Sequence, residues 1–306
     1  MRSPIGLLAV LVGLVAFAAP AQATFPGRNG GIAFGLRTSD GDHVPVTDHA
    51  RLEFLRQPLA RGSTRSLIDC VMTDGAPSGG DCTATNYGAP SYSADGEAIV
   101  FEAGNRVAII DADRGAAVLQ PAATTDDGDP CFSPNGKRIA FTGANDQGGT
   151  DIYIRRVKGG AAQMIVHDAS EPAWSSSARL AYVQSGHVYS ADSKGRARRL
   201  VSSGVSPDWS PNGHRLALVR PTSAGPVGRL YTVAATGRDL RRVGRSKNTS
   251  HPVWSPDGRW LAYYGFDLGI HVKRVGSPAQ AKEVAPTQVS GESGSIVSFD
   301  PAWRPR

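Results

Sequence analysis

The phrase Pro-x-aromatic-Ser-Pro-Asp/Asn-Gly-x-x-hydrophobic-Ala-aromatic recurs along the chain and constrains its fold more than any other feature. Its fullest copies run from Pro130 to Phe141 and from Pro252 to Tyr263, and weaker copies start at Ala89, Glu171 and Ser206. The anchor prolines are Pro90, Pro130, Pro172, Pro207, Pro252 and Pro301, spaced by 35 to 49 residues. Two positions after each stands an aromatic: Tyr92, Phe132, Trp174, Trp209, Trp254 and Trp303. A repeat of this length is one supersecondary unit stacked on copies of itself.

The unit is built from strands. Outside the extreme N-terminus no stretch shows the 3.6-residue period of an amphipathic helix. Short apolar runs alternate with turn signals instead, as in Ile139–Thr142, Asp151–Val157 and Ala162–Val166. In Ser-Pro-Asp/Asn-Gly the proline presets φ for a turn, and the glycine accepts the left-handed conformation that returns the chain antiparallel. Four strands in about 40 residues, repeated, predict an all-β fold, a β-propeller of four-stranded blades. The aromatics and the Ile-Ala-Phe segments keep one phase in every unit. They are therefore expected to be core between blades rather than a sugar-stacking platform.

The termini share one copy of the phrase. Asp300-Pro-Ala-Trp303 begins a unit that does not continue, and Asn29-Gly-Gly-Ile-Ala-Phe34 continues a unit that did not begin. Joined, they make a first blade with its inner strand at Pro301–Arg304 and its others at Gly31–Leu36, Leu52–Arg56 and Thr64–Ile68. The count is then six blades over residues 24–306, closed by the C-terminal strand, which leaves no free edge at the seam. The copy at Trp174-Ser-Ser-Ser-Ala-Arg-Leu180 lacks the Pro and Gly and is one residue short, so its hairpin should differ.

Residues 1–23 read as a secretory signal: Arg2, an apolar run from Ile5 to Ala19, and the small-x-small site Ala21-Gln-Ala23. The run is short for a membrane span. No stable membrane insertion is expected after cleavage. In an exported chain Cys70 and Cys82 are a candidate disulfide across a Gly- and Ser-rich stretch, while Cys131 falls within an inner strand as a small buried residue. The net charge of +6 comes from scattered Arg and Lys, including Arg196–Arg199 and Arg238–Arg245 at outer-strand or turn positions. No aromatic-interleaved basic motif accompanies them, so nucleic acid is not an expected partner.

Catalytic signatures are absent. There is no HExxH, CxxC or G-x-S-x-G, and no cofactor motif; Gly291-Glu-Ser-Gly-Ser295 is a near miss in a polar loop. Asp126-Asp-Gly-Asp129 resembles a calcium loop in composition but lacks its spacing, and serves equally as a solvated turn. The seven histidines are dispersed. His251, Asp129, Glu171 and Asp300 each stand just before an inner-strand proline, near the channel entrance. They are the candidate metal-binding or ligand-binding side chains, and a polar channel lining explains them equally. Long connections at Arg37–Arg51, Asp69–Ala89, Gly143–Thr150, Arg220–Gly228, Gly244–Ser250 and Pro286–Phe299 gather on one face of such a ring. Binding surfaces usually lie there.

The repeat copies resemble the TolB-type, WD40-like (PD40) propeller repeats over nearly the whole mature chain. The resemblance is specific for fold and less so for function. Such repeats occur in the periplasmic TolB protein of the Tol–Pal envelope system, and also in tricorn-type and prolyl-oligopeptidase-type proteases. TolB carries an α/β domain ahead of its propeller, whereas here the first repeat starts at Phe25-Pro-Gly. The expected function is a secreted or periplasmic, non-catalytic scaffold. It would act as a monomer without a cofactor and bind a protein or another cell-envelope component. The alternative is a channel-centred, metal-assisted lyase or hydrolase acting on a carbohydrate or small molecule.

Overall fold

The computed structural model describes residues 28–40, 49–55, 64–68, 87–113, 117–222, 227–245, 247–265, 269–285 and 294–305. Among these there are 24 β-strands and no helix, so no helix is long and apolar enough to cross a membrane. In the first sheet β1 (Asn29–Asp40), β2 (His49–Leu55) and β3 (Thr64–Ile68) run antiparallel, and β24 (Gly294–Pro305) pairs with the other edge of β1. The second sheet is β4 (Tyr87–Tyr92), β5 (Ala98–Ala103), β6 (Arg106–Asp111) and β7 (Ala117–Leu119). The third is β8 (Asp127–Phe132), β9 (Arg138–Ala144), β10 (Thr150–Arg156) and β11 (Gln163–Val166). The fourth is β12 (Ala169–Trp174), β13 (Leu180–Gln184), β14 (His187–Ala191) and β15 (Ala197–Val201).

Two further ladders follow: β16 (Val205–Trp209), β17 (Arg215–Pro221), β18 (Gly228–Ala234) and β19 (Arg241–Arg242), then β20 (Thr249–Trp254), β21 (Trp260–Gly265), β22 (Gly269–Arg274) and β23 (Lys282–Ala285). The single pair Gly228–Thr249 joins them into one eight-stranded sheet. Among the described residues no sheet closes on itself.

The first turn of each ladder from the second onward is a hydrogen-bonded knot. In Ser133-Pro-Asn-Gly-Lys-Arg138 the Ser133 amide donates to the Arg138 carbonyl (2.8 Å) and the Gly136 amide to the Ser133 carbonyl (2.8 Å). The Ser133 hydroxyl donates to Asn135 Oδ1 (2.9 Å) and accepts from the Arg138 amide (3.0 Å). The same contacts recur around Ser93, Ser210 and Ser255, so Asp95, Asn212 and Asp257 are turn residues. The short copy is altered as its sequence requires. Ser175 pairs with Arg179 rather than with a residue five positions on, and Ala178 takes the left-handed position (φ 58°) that glycine holds elsewhere.

The core lies between successive ladders. Val100 and Val107 meet Phe132, Ile139 and Phe141. Val183, Val188 and Leu200 meet Trp209, Leu216 and Leu218. Ala217 and Leu230 meet Trp254, Leu261 and Tyr263. Ile32 and Trp303 of the first sheet meet Ala262, Ile270 and Val272 of the last ladder. Tyr92, Phe132, Trp209, Trp254 and Trp303 are at most 4% exposed, whereas Trp174 is only half-buried. A buried Trp of this kind contributes about 3–5 kcal/mol relative to Ala.

The sequence expectations need three corrections. Arg37–Asp40, His49–Arg51 and Gly294–Phe299, read above as loop, are strand: Arg37 pairs with Val297 and Ala50, and Asp40 with Gly294. Tyr87–Ala89 is likewise strand, and what is left of these three connections falls at 41–48, 69–86 and 286–293, outside the described residues. Asp127 is not part of a solvated turn. It is 1% exposed, and its carboxylate accepts from the amides of Ala123 (2.7 Å) and Thr124 (3.0 Å) and from the Thr124 hydroxyl (2.7 Å). Residues 1–23, Cys70 and Cys82 also lie outside the described residues.

Candidate functional site

The first strands of the ladders touch one another in a cycle: β24 contacts β4, then β4 β8, β8 β12, β12 β16, β16 β20 and β20 β24. They surround a cavity of about 170 Å³. Its wall includes Asp129, Glu171 and His251 together with Ser206, Asp208 and Trp174. Three of the four pre-proline side chains singled out in the sequence therefore meet in one place. Asp300 holds the same phase in β24, but its side chain lies outside those described.

The proline explains the local geometry. It has no N–H to donate, so the ladder slips at each Pro, between Gly88 and Ser91, Gly128 and Cys131, Ser170 and Ala173, Val205 and Asp208, and Ser250 and Val253. The residue before Pro is disfavoured in the right-handed helical region. Here it takes the left-handed one: Ala89, Asp129, Glu171, Ser206 and His251 have φ between 44° and 53°. The β24 ladder slips at the same phase, between the pairs Ala302–Ala33 and Phe299–Gly35. A bulge of this kind turns a side chain out of the sheet, here toward the channel.

Side chains of one ladder grip the backbone of the next. The Asp129 amide donates to Glu102 Oε1 (2.6 Å), and a Cβ at Gly128 would sit 2.7 Å from that oxygen and push the Glu102 side chain aside. The Thr142 hydroxyl donates to Asp129 Oδ2 (3.1 Å) and accepts from the Glu171 amide (3.0 Å). Glu171 Oε2 accepts from the Ser206 amide, and Asp208 Oδ2 from the Trp254 amide (2.8 Å). Hydrogen bonds to carboxylates are the stronger kind. The channel wall is thus acidic, fixed, and knitted across four boundaries between ladders.

Two features bear on its chemistry. The Ser206 hydroxyl is buried with no hydrogen-bond partner, and it lines the cavity. A buried orphan hydroxyl is uncommon and invites a bound group. The Cys131 thiol is pushed up to about 12, chiefly by burial, so at neutral pH it is a protonated and poor nucleophile. Among the described residues no three His, Cys, Asp or Glu side chains assemble to hold a metal ion.

Ser206, Glu102, Thr142 and Asp208 were not singled out from the sequence. Ser206 shares the pre-proline phase, which an attention to charge alone passes over. Glu102 and Thr142 each follow the aromatic that ends the apolar segment, Phe101 or Phe141, and that shared phase is the signal that could have found them.

No protein-family model matches the chain. One curated relative, the uncharacterized peptidase YuxL of Bacillus subtilis (strain 168), is 25% identical over 146 residues. That match covers 44% of this chain and 21% of YuxL, so it spans about a fifth of the relative. Among solved structures, TolB from Acinetobacter baumannii superposes with a TM-score of 0.66 at 18% identity, covering 90% of this chain and 67% of that one. A putative TolB from Agrobacterium tumefaciens gives 0.62 at 14% identity, covering 92% of this chain and all of that one (100%). An oligogalacturonate lyase in complex with manganese gives 0.52 at 13% identity, covering 79% and 72%. At these identities the likeness concerns the fold, and the fold is that of a TolB-like β-propeller.

Proposed function

We propose that this chain is an exported, six-bladed β-propeller, closed by β24 on β1, that acts without catalysis as a binding scaffold. Its partner is a protein or another cell-envelope component, met at the channel. The cyclic contacts of the six inner strands and the packing of Ile32 and Trp303 against Ala262 and Ile270 support the closed ring. The leader-like residues 1–23 support a secreted or periplasmic location. The protein acts as a monomer, away from nucleic acid, with no stable membrane insertion once the leader is removed.

The observation that carries the binding role is the channel itself. Its volume of about 170 Å³ falls below the roughly 300–1,000 Å³ typical of sites that enclose a small molecule. It suits one or two side chains of a partner, and three wall carboxylates favour a cationic or hydrogen-bond-donating tip. The Ser206 hydroxyl pairs with no base, so it is not activated as a nucleophile. The test is affinity capture from an envelope extract with wild-type protein and with Ser206→Trp, which fills the cavity. Loss of the wild-type partner in the folded variant is expected, and undiminished capture would overturn the proposal.

A second reading is favoured by His251, Asp129 and Glu171 lining one cavity and by the likeness to a manganese-bound lyase. It is a metal-assisted lyase or hydrolase, and the peptidase relative keeps hydrolysis within its range. Stoichiometric Mn²⁺ binding that is lost in His251→Ala would select it.

A further inference from the structure

In an antiparallel ladder, alternate turns lie at opposite ends of the strands. The first and third turns therefore share one end of the molecule. At that end two adjoining cavities of about 520 Å³ each lie between the β16–β19 and β20–β23 ladders. Arg215 and Arg274 line both, Arg259 lines one, and Arg241, Arg242 and Lys273 line the other. Asp257 is the one acidic side chain among the lining residues, and its carboxylate is committed to its own turn, accepting from the Ser255 hydroxyl (2.5 Å) and the Arg259 amide (3.0 Å).

The cations are held in place. Asp239, itself at φ 56°, sets its carboxylate between two guanidinium groups: Arg215 Nη1 lies 2.7 Å from Oδ2, and Arg241 Nε lies 2.5 Å from Oδ1. Arg215 Nη2 also donates to the Asp239 carbonyl (2.9 Å) and the Thr232 hydroxyl (3.2 Å). These contacts fix Arg215 without covering it, since its side chain stays 27% exposed. Lys273 is buried to 4% exposure, and its Nζ donates to the carbonyls of Ser277 (2.6 Å) and Ala279. Arg259 and Arg274 pair with no carboxylate among the described residues. Six cations thus face two carboxylates, one of which acts as their buttress.

We propose that this cleft binds a compact multivalent oxyanion, a ligand with two or more phosphate or carboxylate groups. The guanidinium fork matches both groups in bidentate geometry, and the Asp239 clamp removes part of the cost of ordering it. Each cavity also falls in the size range of small-molecule sites. This site is separate from the channel and does not depend on its role.

The test is calorimetric titration of the full chain with sodium tripolyphosphate and with citrate at low ionic strength. The variants are Arg274→Ala and Arg274→Glu, at an exposed position where folding is not at risk, and His251→Trp in the channel. Wild type is expected to bind at least one probe, and the stronger of the two assigns phosphate or carboxylate. Arg274→Ala should weaken binding about 10-fold and Arg274→Glu abolish it, with His251→Trp unchanged. Failure of wild type to bind either probe at millimolar concentration would overturn the proposal. So would unchanged binding in Arg274→Glu, or loss caused by the channel variant alone.

Discussion

Two sets of positions recur from ladder to ladder with left-handed backbone, and they are filled differently. At the first turns the residues are Gly96, Gly136, Gly213 and Gly258, with φ between 64° and 71°. On the channel wall they are Ala89, Asp129, Glu171, Ser206 and His251, with φ between 44° and 53°. The conformation costs an L-residue about 1–2 kcal/mol, and glycine avoids that cost. In the turns the strain is relieved by glycine, because only the direction of the chain matters there. On the wall side chains are kept despite it. The Glu171 carboxylate ties its ladder to the next and the Asp129 carboxylate holds the Thr142 hydroxyl that receives the Glu171 amide, whereas the hydroxyl of Ser206 ties nothing. Retained strain of this kind clusters at functional sites and supports the proposal that the wall meets a partner.

The comparison can be broken most forcefully at the C-terminal strand, through which the proposed ring would close. Deleting residues 301–306 removes Trp303, which is 4% exposed, and the paired hydrogen bonds of Arg304 to Asp113 (2.8 Å each). A loss of 3–5 kcal/mol for the Trp alone predicts a fall of about 10 °C or more in melting temperature, followed by tryptophan fluorescence. An unchanged melt would contradict closure through β24.

Within the turns the expected effects are smaller and graded. A Cβ at Gly96 would meet the Pro305 carbonyl at 2.6 Å, while one at Gly136 meets nothing within 4 Å. Gly136→Ala should cost only the conformational term, about 1–2 kcal/mol, and Gly96→Ala should cost more. Urea titration of both variants checks the order. Smallest is Ala178→Gly, which gives the short hairpin the residue its φ of 58° calls for. A gain of about 0.5 kcal/mol is expected, since relief of strain is partly offset by the greater freedom of glycine when unfolded.

The repeating parts of this architecture were legible because each rests on local chemistry. Pro130 and Pro252 mark inner strands, Ser-Pro-Asn-Gly marks the turn, and the phase of Trp209 and Trp254 marks core. Even the β24–β1 pairing was visible, because the termini hold two parts of one phrase. The extent of that pairing was not. Arg37–Asp40 is polar and carries no strand pattern, and it becomes strand only by pairing with Gly294–Val297, some 260 residues away (37 to 297). Strand propensity depends on such partners, which sequence does not display. The channel candidates were half legible for the same reason. Asp129, Glu171 and His251 declared themselves by charge and phase, but Glu102 and Thr142 acquire roles only from the register between ladders. Likewise Arg238–Arg245 reads as a solvated basic run until the fold brings Arg215 and Arg274 beside it.

The most direct test of the account sets stability against binding at the wall. In Ser206→Gly and His251→Gly the left-handed strain is removed and the side chain with it. Melting temperature and capture of the proposed envelope partner are measured on the same preparations. The account predicts a melting temperature unchanged or raised by about 1–2 °C, with the partner lost. Capture at the wild-type level in both variants would contradict it.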